Sequence, residues 1–126
     1  MILLDTSVLI ASLTSPKSLL NVLQETLWLG ERLIVPTIVL YEWWRGPRLE
    51  QELRMQETVF PTELATVFGA AEAKIAAQLY RRISRPRGRE MDLAIAACAI
   101  AREVPLWTLN RKDFADIPGL TLARIP

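Results

Sequence analysis

The chain contains no histidine and a single cysteine, Cys98. Without imidazole there is no Ser-His-Asp triad, no Cys-His pair, no histidine base for RNA cleavage and no zinc site with histidine ligands. One thiol allows neither an intrachain disulfide nor an all-thiolate metal site, and a reducing, cytoplasmic setting is the expectation. No apolar run approaches the ~20 residues of a membrane span. The first residues, Met1 to Asp5, lack the basic n-region of a secretory signal and carry an acid instead. Net charge is only +1, yet the cations are unevenly spread, with Arg81, Arg82, Arg85, Arg87 and Arg89 in one short stretch. Any enzymatic chemistry must therefore run on carboxylates, hydroxyls, Lys, Arg or a metal held by oxygen.

What is present fits one globular domain, residues 1–126, with 51% hydrophobic and 23% charged residues. Ile2-Leu3-Leu4 reads as a buried strand that stops at Asp5, with a helix start at Thr6-Ser7. Ser15-Pro16 suggests the start of a helix through Leu19, Leu20, Leu23 and Leu27 up to Gly30. Leu33-Ile34-Val35 reads as a second strand, and a helix runs from Thr37 past Tyr41, Glu42, Trp43 and Trp44 to the stop at Gly46-Pro47. Leu49 to Glu57 is helical with Leu49, Leu53 and Gln56 on a partly exposed face. Val59-Phe60 reads as a short strand, Glu63 to Tyr80 as a long helix and Arg81 to Arg89 as a basic loop. Glu90 to Arg102, rich in Ala and Ile, reads as a central helix. Leu106 to Thr108 and Leu120 to Leu122 complete the expected strands. Alternating strands and helices imply an α/β domain with a mainly parallel sheet of four to five strands flanked by helices.

In such a sheet, sites form at the carboxyl ends of the strands. Asp5 ends the first strand, Glu42 lies on the helix after the second, Asp92 is in the first turn of the central helix, and Asn110 and Asp113 follow the third strand. Each acid has an ordinary explanation on its own. Asp5 would cap a helix, Asp92 would complement a helix dipole, Glu42 would be solvated, and Asp113 would belong to a polar turn. Brought together they need more. Two like charges at ~4 Å repel by about 4 kcal/mol at an effective dielectric of 20. Either some stay protonated, or a hard cation such as Mg²⁺ or Mn²⁺ neutralises them. That cation chemistry needs no histidine.

The ordered blocks carry a family resemblance. The opening from Ile2 to Ile10, Tyr41-Glu42-Trp43-Trp44-Arg45-Gly46, Asp92-Leu93-Ala94-Ile95-Ala96-Ala97, and Leu106-Trp107-Thr108-Leu109-Asn110-Arg111-Lys112-Asp113-Phe114 resemble the PIN domain. More closely they resemble the VapC-type toxin ribonucleases of toxin–antitoxin pairs. The likeness spans nearly the whole chain and is weak from Leu49 to Tyr80. It implies a Mg²⁺- or Mn²⁺-dependent endoribonuclease for single-stranded RNA, a cognate antitoxin and a homodimer. Asp5, Glu42 and Asp92 match the family's metal-binding acids, and Asp113 matches its fourth. The expected metal ligands are Asp5, Asp92 and Asp113, with Glu42 as a ligand or a water-orienting base. Asn110 stands where some relatives have an acid. Thr6, Thr108 and Asn110 match polar positions that support those acids.

The arginines suit a phosphate backbone, and Arg45, Arg85, Arg87 and Arg89 are the RNA-binding candidates. A solvated charged loop is the ordinary alternative. Adjacent Trp43 and Trp44 cannot face the same way on a helix. Trp28, Trp107 and Cys98 read as core. Two rivals remain. One is an inactive PIN-fold scaffold that binds RNA or protein. The other is aspartyl-phosphate chemistry at Asp5, which Ser7 disfavours by replacing the usual second acid.

Overall fold

The computed structural model describes residues 1–125. Strand β1 (Ile2–Leu4) is buried throughout, as an apolar run hemmed by helices on both faces must be. It is the centre of a parallel sheet in the order β2-β1-β3, with β2 at Leu33–Ile34 and β3 at Leu106–Trp107. The register pairs Leu3 with both Ile34 and Leu106, so the middle of β1 carries the ladder on both sides.

Helix α1 (Thr6–Leu13) begins directly after β1 and α2 (Leu20–Trp28) follows. Next come α3 (Thr37–Arg45) and α4 (Glu50–Val59). Helix α5 (Ala70–Arg82) packs along α6 (Glu90–Arg102), whose residues Leu93 to Ala99 are all buried. A single turn, α7 (Arg111–Phe114), follows β3 and pins its Phe114 into the core. The central helix is thus an Ala-rich rod packed between α5 and α3, which is why its composition is apolar on nearly every side. Burial also pushes the Cys98 thiol up to about 12, as expected for an inert core residue. None of the described helices is long and apolar enough to cross a membrane.

The α/β class and parallel sheet match the reading from sequence, but several elements differ. Three strands are formed among the described residues, fewer than the four to five expected. Leu120 to Leu122 joins the sheet only through a bridge between Leu122 and Leu106, because the chain crosses β3 for two hydrogen bonds and leaves. Val59-Phe60 is the end of α4, with the Phe60 amide donating to Gln56 O. The long helix from Glu63 is interrupted. Backbone hydrogen bonds of Thr66 with Val35 and Thr37 draw that segment to the sheet edge. Helix α5 therefore starts afresh at Ala70, where Glu72 accepts the Gly69 amide at 2.8 Å. Helix α2 starts at Leu20, not at Pro16, since Lys17 has φ +56° and cannot continue a helix. On α4 the polar Glu52 and Gln56 turn inward, Glu52 accepting from the Leu49 amide (2.8 Å) and Gln56 donating to Phe60 O (2.9 Å), while Leu53 and, just before the helix, Leu49 face out. Trp28 is 94% exposed, contrary to its expected core role, while Trp43 and Trp107 are buried.

Candidate active site

The site is built on the abrupt junction between β1 and α1. The Asp5 amide still belongs to the sheet, donating to Trp107 O at 2.9 Å, while its carbonyl already accepts from the Val8 amide at 3.1 Å. A side chain at that junction must point off the carboxyl edge of the sheet. Asp5 does not cap α1 with its carboxylate. Instead its Oδ2 accepts two hydrogen bonds of 2.7 Å, one from the Ser7 hydroxyl and one from the Thr108 hydroxyl. Each hydroxyl is itself an acceptor. Leu109 N–H donates to Ser7 Oγ at 3.1 Å and Asn110 N–H donates to Thr108 Oγ1 at 3.0 Å. Two short relays therefore tie the loop after β3 to a single carboxylate oxygen. Asp5 is 4% exposed and Thr108 3%, so this bonding replaces water that the groups have lost.

Glu42 reaches the same edge from α3. Thr6 Oγ1 donates to its Oε1 at 2.6 Å and Arg45 Nη2 to its Oε2 at 3.2 Å. Arg45 also lies over the Tyr41 ring, 5.4 Å from its centroid. Asp92 projects from the first turn of α6 and is half-buried. Its carboxyl is pushed up to about 6, first by burial and then by the negative charges of Asp5, Asp113 and Glu42, with Arg89 acting against them. The same four acids thus share one electrostatic neighbourhood. Asp113 on α7 and Asn110 before it are exposed.

These carboxylates lie within each other's field without being drawn together. Among the described residues, no three His, Cys, Asp or Glu side chains stand in a spacing that already holds a metal ion. The donor set itself fits a hard divalent cation, since every candidate is oxygen and neither thiolate nor imidazole competes. The two hydroxyls both bind Asp5 Oδ2, which leaves Oδ1 outside that pair.

The arginines separate into two groups. Arg85 and Arg87 are exposed on the loop between α5 and α6, and Arg81 and Arg82 belong to the last turn of α5. Arg89 is different from its expected RNA-facing role. Its guanidinium is occupied at the surface of the protein by both carboxylate oxygens of Asp116 (2.7 and 2.8 Å) and by Asp113 O (2.7 Å). Two contributors escaped the sequence reading. Ser7 reads from sequence as part of a helix start and as a missing acid, although a hydroxyl two residues after a strand-ending Asp is placed to turn back onto it. Asp116 had no local signal, because its partner is 27 residues away.

Three comparisons with known proteins bear on this arrangement. No curated protein matches the chain. Among solved structures, VapBC2 from Rickettsia felis bound to a DNA fragment from its promoter is similar, at 26% identity and a TM-score of 0.70, covering 98% of each chain. VapBC-1 from nontypeable Haemophilus influenzae gives 25% identity and a TM-score of 0.70 over 98% of this chain and 97% of the other. DNA-bound VapBC from Salmonella typhimurium shares the fold, with a TM-score of 0.78 at 22% identity over 97% and 96% of the two chains. The model of the PIN domain matches residues 2–120, nearly the entire sheet-and-helix frame that carries the four acids, and the chain therefore belongs to the PIN domain family.

Proposed function

We propose that this protein is a Mg²⁺- or Mn²⁺-dependent endoribonuclease acting on single-stranded RNA, and the toxin of a toxin–antitoxin pair. The observation that carries the reading is the buried Asp5, fixed by two hydroxyls beside an Asp92 whose charge three other acids oppose. Family membership and the similarity to VapBC structures support it. In this reading Asp5, Asp92 and Asp113 hold the cation. A bound cation would supply positive charge against the scissile phosphate and a more acidic water. Ser7 and Thr108 keep Asp5 aimed at the edge. Thr6 and Arg45 fix the two oxygens of Glu42, which orients the attacking water or completes the ligand set. Arg45, Arg85 and Arg87 bind the phosphate backbone, and Asn110 shapes the loop beside it. The partners are the RNA, a cognate antitoxin and a second copy of the chain, in the cytoplasm.

Cleavage of a fluorescent single-stranded RNA with Mn²⁺, with and without EDTA, tests the activity. Asp5→Asn and Asp92→Asn should each lower the rate by at least ~10²-fold while circular dichroism stays unchanged. A wild-type protein that binds RNA but never cuts it, with any of several metals, would make the chain a PIN-fold binding scaffold instead.

A further inference from the structure

Arg89 links the two elements that carry the site's outer acids. Its backbone belongs to the start of α6: its carbonyl accepts from Leu93 N–H at 2.9 Å and its own N–H donates to Pro86 O at 3.0 Å. Its side chain belongs to the end of α7. Nη2 donates to Asp113 O at 2.7 Å, and the fork closes on Asp116 with 2.7 and 2.8 Å contacts. A one-turn helix has no stability of its own, and its last carbonyls lack intrahelical partners. A cation that bonds one of them both satisfies it and suits the negative end of the helix. The planar guanidinium fixes direction as well as distance, because two parallel N–H bonds to one carboxylate tolerate little rotation. The Arg89 side chain is 22% exposed, more sheltered than a free surface arginine.

We propose that Arg89 is a positioning residue: through its fork to Asp116 and the Asp113 carbonyl, it sets the separation between Asp92 on α6 and Asp113 on α7, and so the geometry in which the site takes a divalent cation. The inference rests on the metal-site reading above. Asp116 is the second half of the device and holds the guanidinium in its orientation without itself being a ligand. Charge alone leads to the opposite expectation. A cation fixed close to Asp92 and Asp113 repels an incoming metal ion, so its loss would tighten metal binding.

The test is Mn²⁺ binding by titration calorimetry on the full chain without RNA, which requires no activity. Arg89→Lys keeps the charge and loses the fork. Asp116→Asn keeps the proposed ligand acids and loses one side of it. Each should weaken Mn²⁺ binding about 5- to 10-fold, and the double variant should be little worse than either single one, as for two members of one interaction. Faster amide hydrogen exchange confined to residues 111–117 should accompany the loss. Tighter binding in Arg89→Ala with wild-type binding in Arg89→Lys would overturn the proposal in favour of a plain charge effect. Wild-type Mn²⁺ binding in both Arg89→Lys and Asp116→Asn, while Asp5→Asn abolishes it, would overturn it as well. If Asp5→Asn itself binds Mn²⁺ like the wild type, the metal-site reading is at fault and the clamp falls with it.

Discussion

The two halves of the site are built by different means. Asp5 and Thr108 are buried, and neutral hydroxyls with backbone amides hold them in place. Asp92 and Asp113 are half-buried and exposed, and their elements are joined by an ion pair between Arg89 and Asp116. Hydrogen bonds from uncharged donors in a dry setting are little screened by salt. An ion pair near the surface is screened, so its strength falls as salt rises. The inner half is therefore held independently of salt, and the outer half by a contact that salt weakens.

The sharpest way to break the comparison is to remove an acid from each half. Asp5→Asn should cost at least ~10²-fold in RNA cleavage. Asp113→Asn, on the exposed half, should cost less, because Asp92 still anchors that side. Single-turnover assays at saturating Mn²⁺ measure both. Equal losses would mean that the two halves act as one unit.

Next in size is the support of the inner half. Thr108→Val deletes one of the two hydroxyls on Asp5 Oδ2 and leaves the Asn110 amide without its acceptor. A hydrogen bond to a charged group is worth about 1.5–3 kcal/mol, so urea denaturation should show a loss in that range. The loss should be the same at low and high salt. The loss from Arg89→Lys should be smaller, below about 1 kcal/mol, and should shrink as salt rises. A salt-dependent loss at Thr108 would contradict the division.

These contrasts also show what the sequence made legible. The strand ending at Asp5 is readable because three apolar residues stop abruptly at an acid. The central helix is readable because Leu93 to Ala99 contains nothing that wants water. Local pattern also put the acids on the elements that bear them. It failed where a contact spans the chain. The Thr66 segment is drawn to the sheet by Val35 and Thr37, which overrides its helical composition. Arg89 lies in a basic run that composition assigns to RNA, yet its partner lies in a turn 27 residues on. Trp28 reads as core by residue type, while α2 presents it to solvent.

A smaller effect concerns the loop arginines that remain free. Arg85 and Arg87 are exposed, in contrast to Arg89. Each phosphate contact to single-stranded RNA contributes about 0.7 to the slope of log K against log salt. The double change to Ala should lower that slope by about 1.4 in fluorescence anisotropy and leave Mn²⁺ binding as it was. An unchanged slope would assign these side chains to solvent or to the antitoxin.

The smallest expected effect sharpens the comparison most, because it reads what it costs to keep Asp92 charged, half-buried and beside the other acids. In the folded protein the Asp92 carboxyl titrates at about 6, against 3.8 for the free side chain, chiefly through burial and then through the neighbouring acids. Between those values the folded state binds more protons than the unfolded state, so stability falls as pH rises. Below the unfolded value the penalty is absent, and above about pH 6 it is complete. Asp92 is partly exposed, so solvent screening reduces the penalty to about 1 kcal/mol, or a few degrees in melting temperature. Other acids titrate over the same range, and the useful quantity is the difference between Asp92→Asn and wild type in EDTA. That difference should be near zero at pH 4, should grow in favour of the variant up to about pH 6 to 7, and should then level off. Mn²⁺ at several millimolar should raise the wild type and close the gap, since a ligand that binds only the folded state stabilises it by RT ln(1 + [L]/Kd). Differential scanning fluorimetry across pH measures all of this in one plate. A flat difference, or a variant that melts lower at neutral pH in EDTA, would mean that neither burial nor the neighbouring acids disfavour the Asp92 charge, and the outer half would then be no more strained than the inner one.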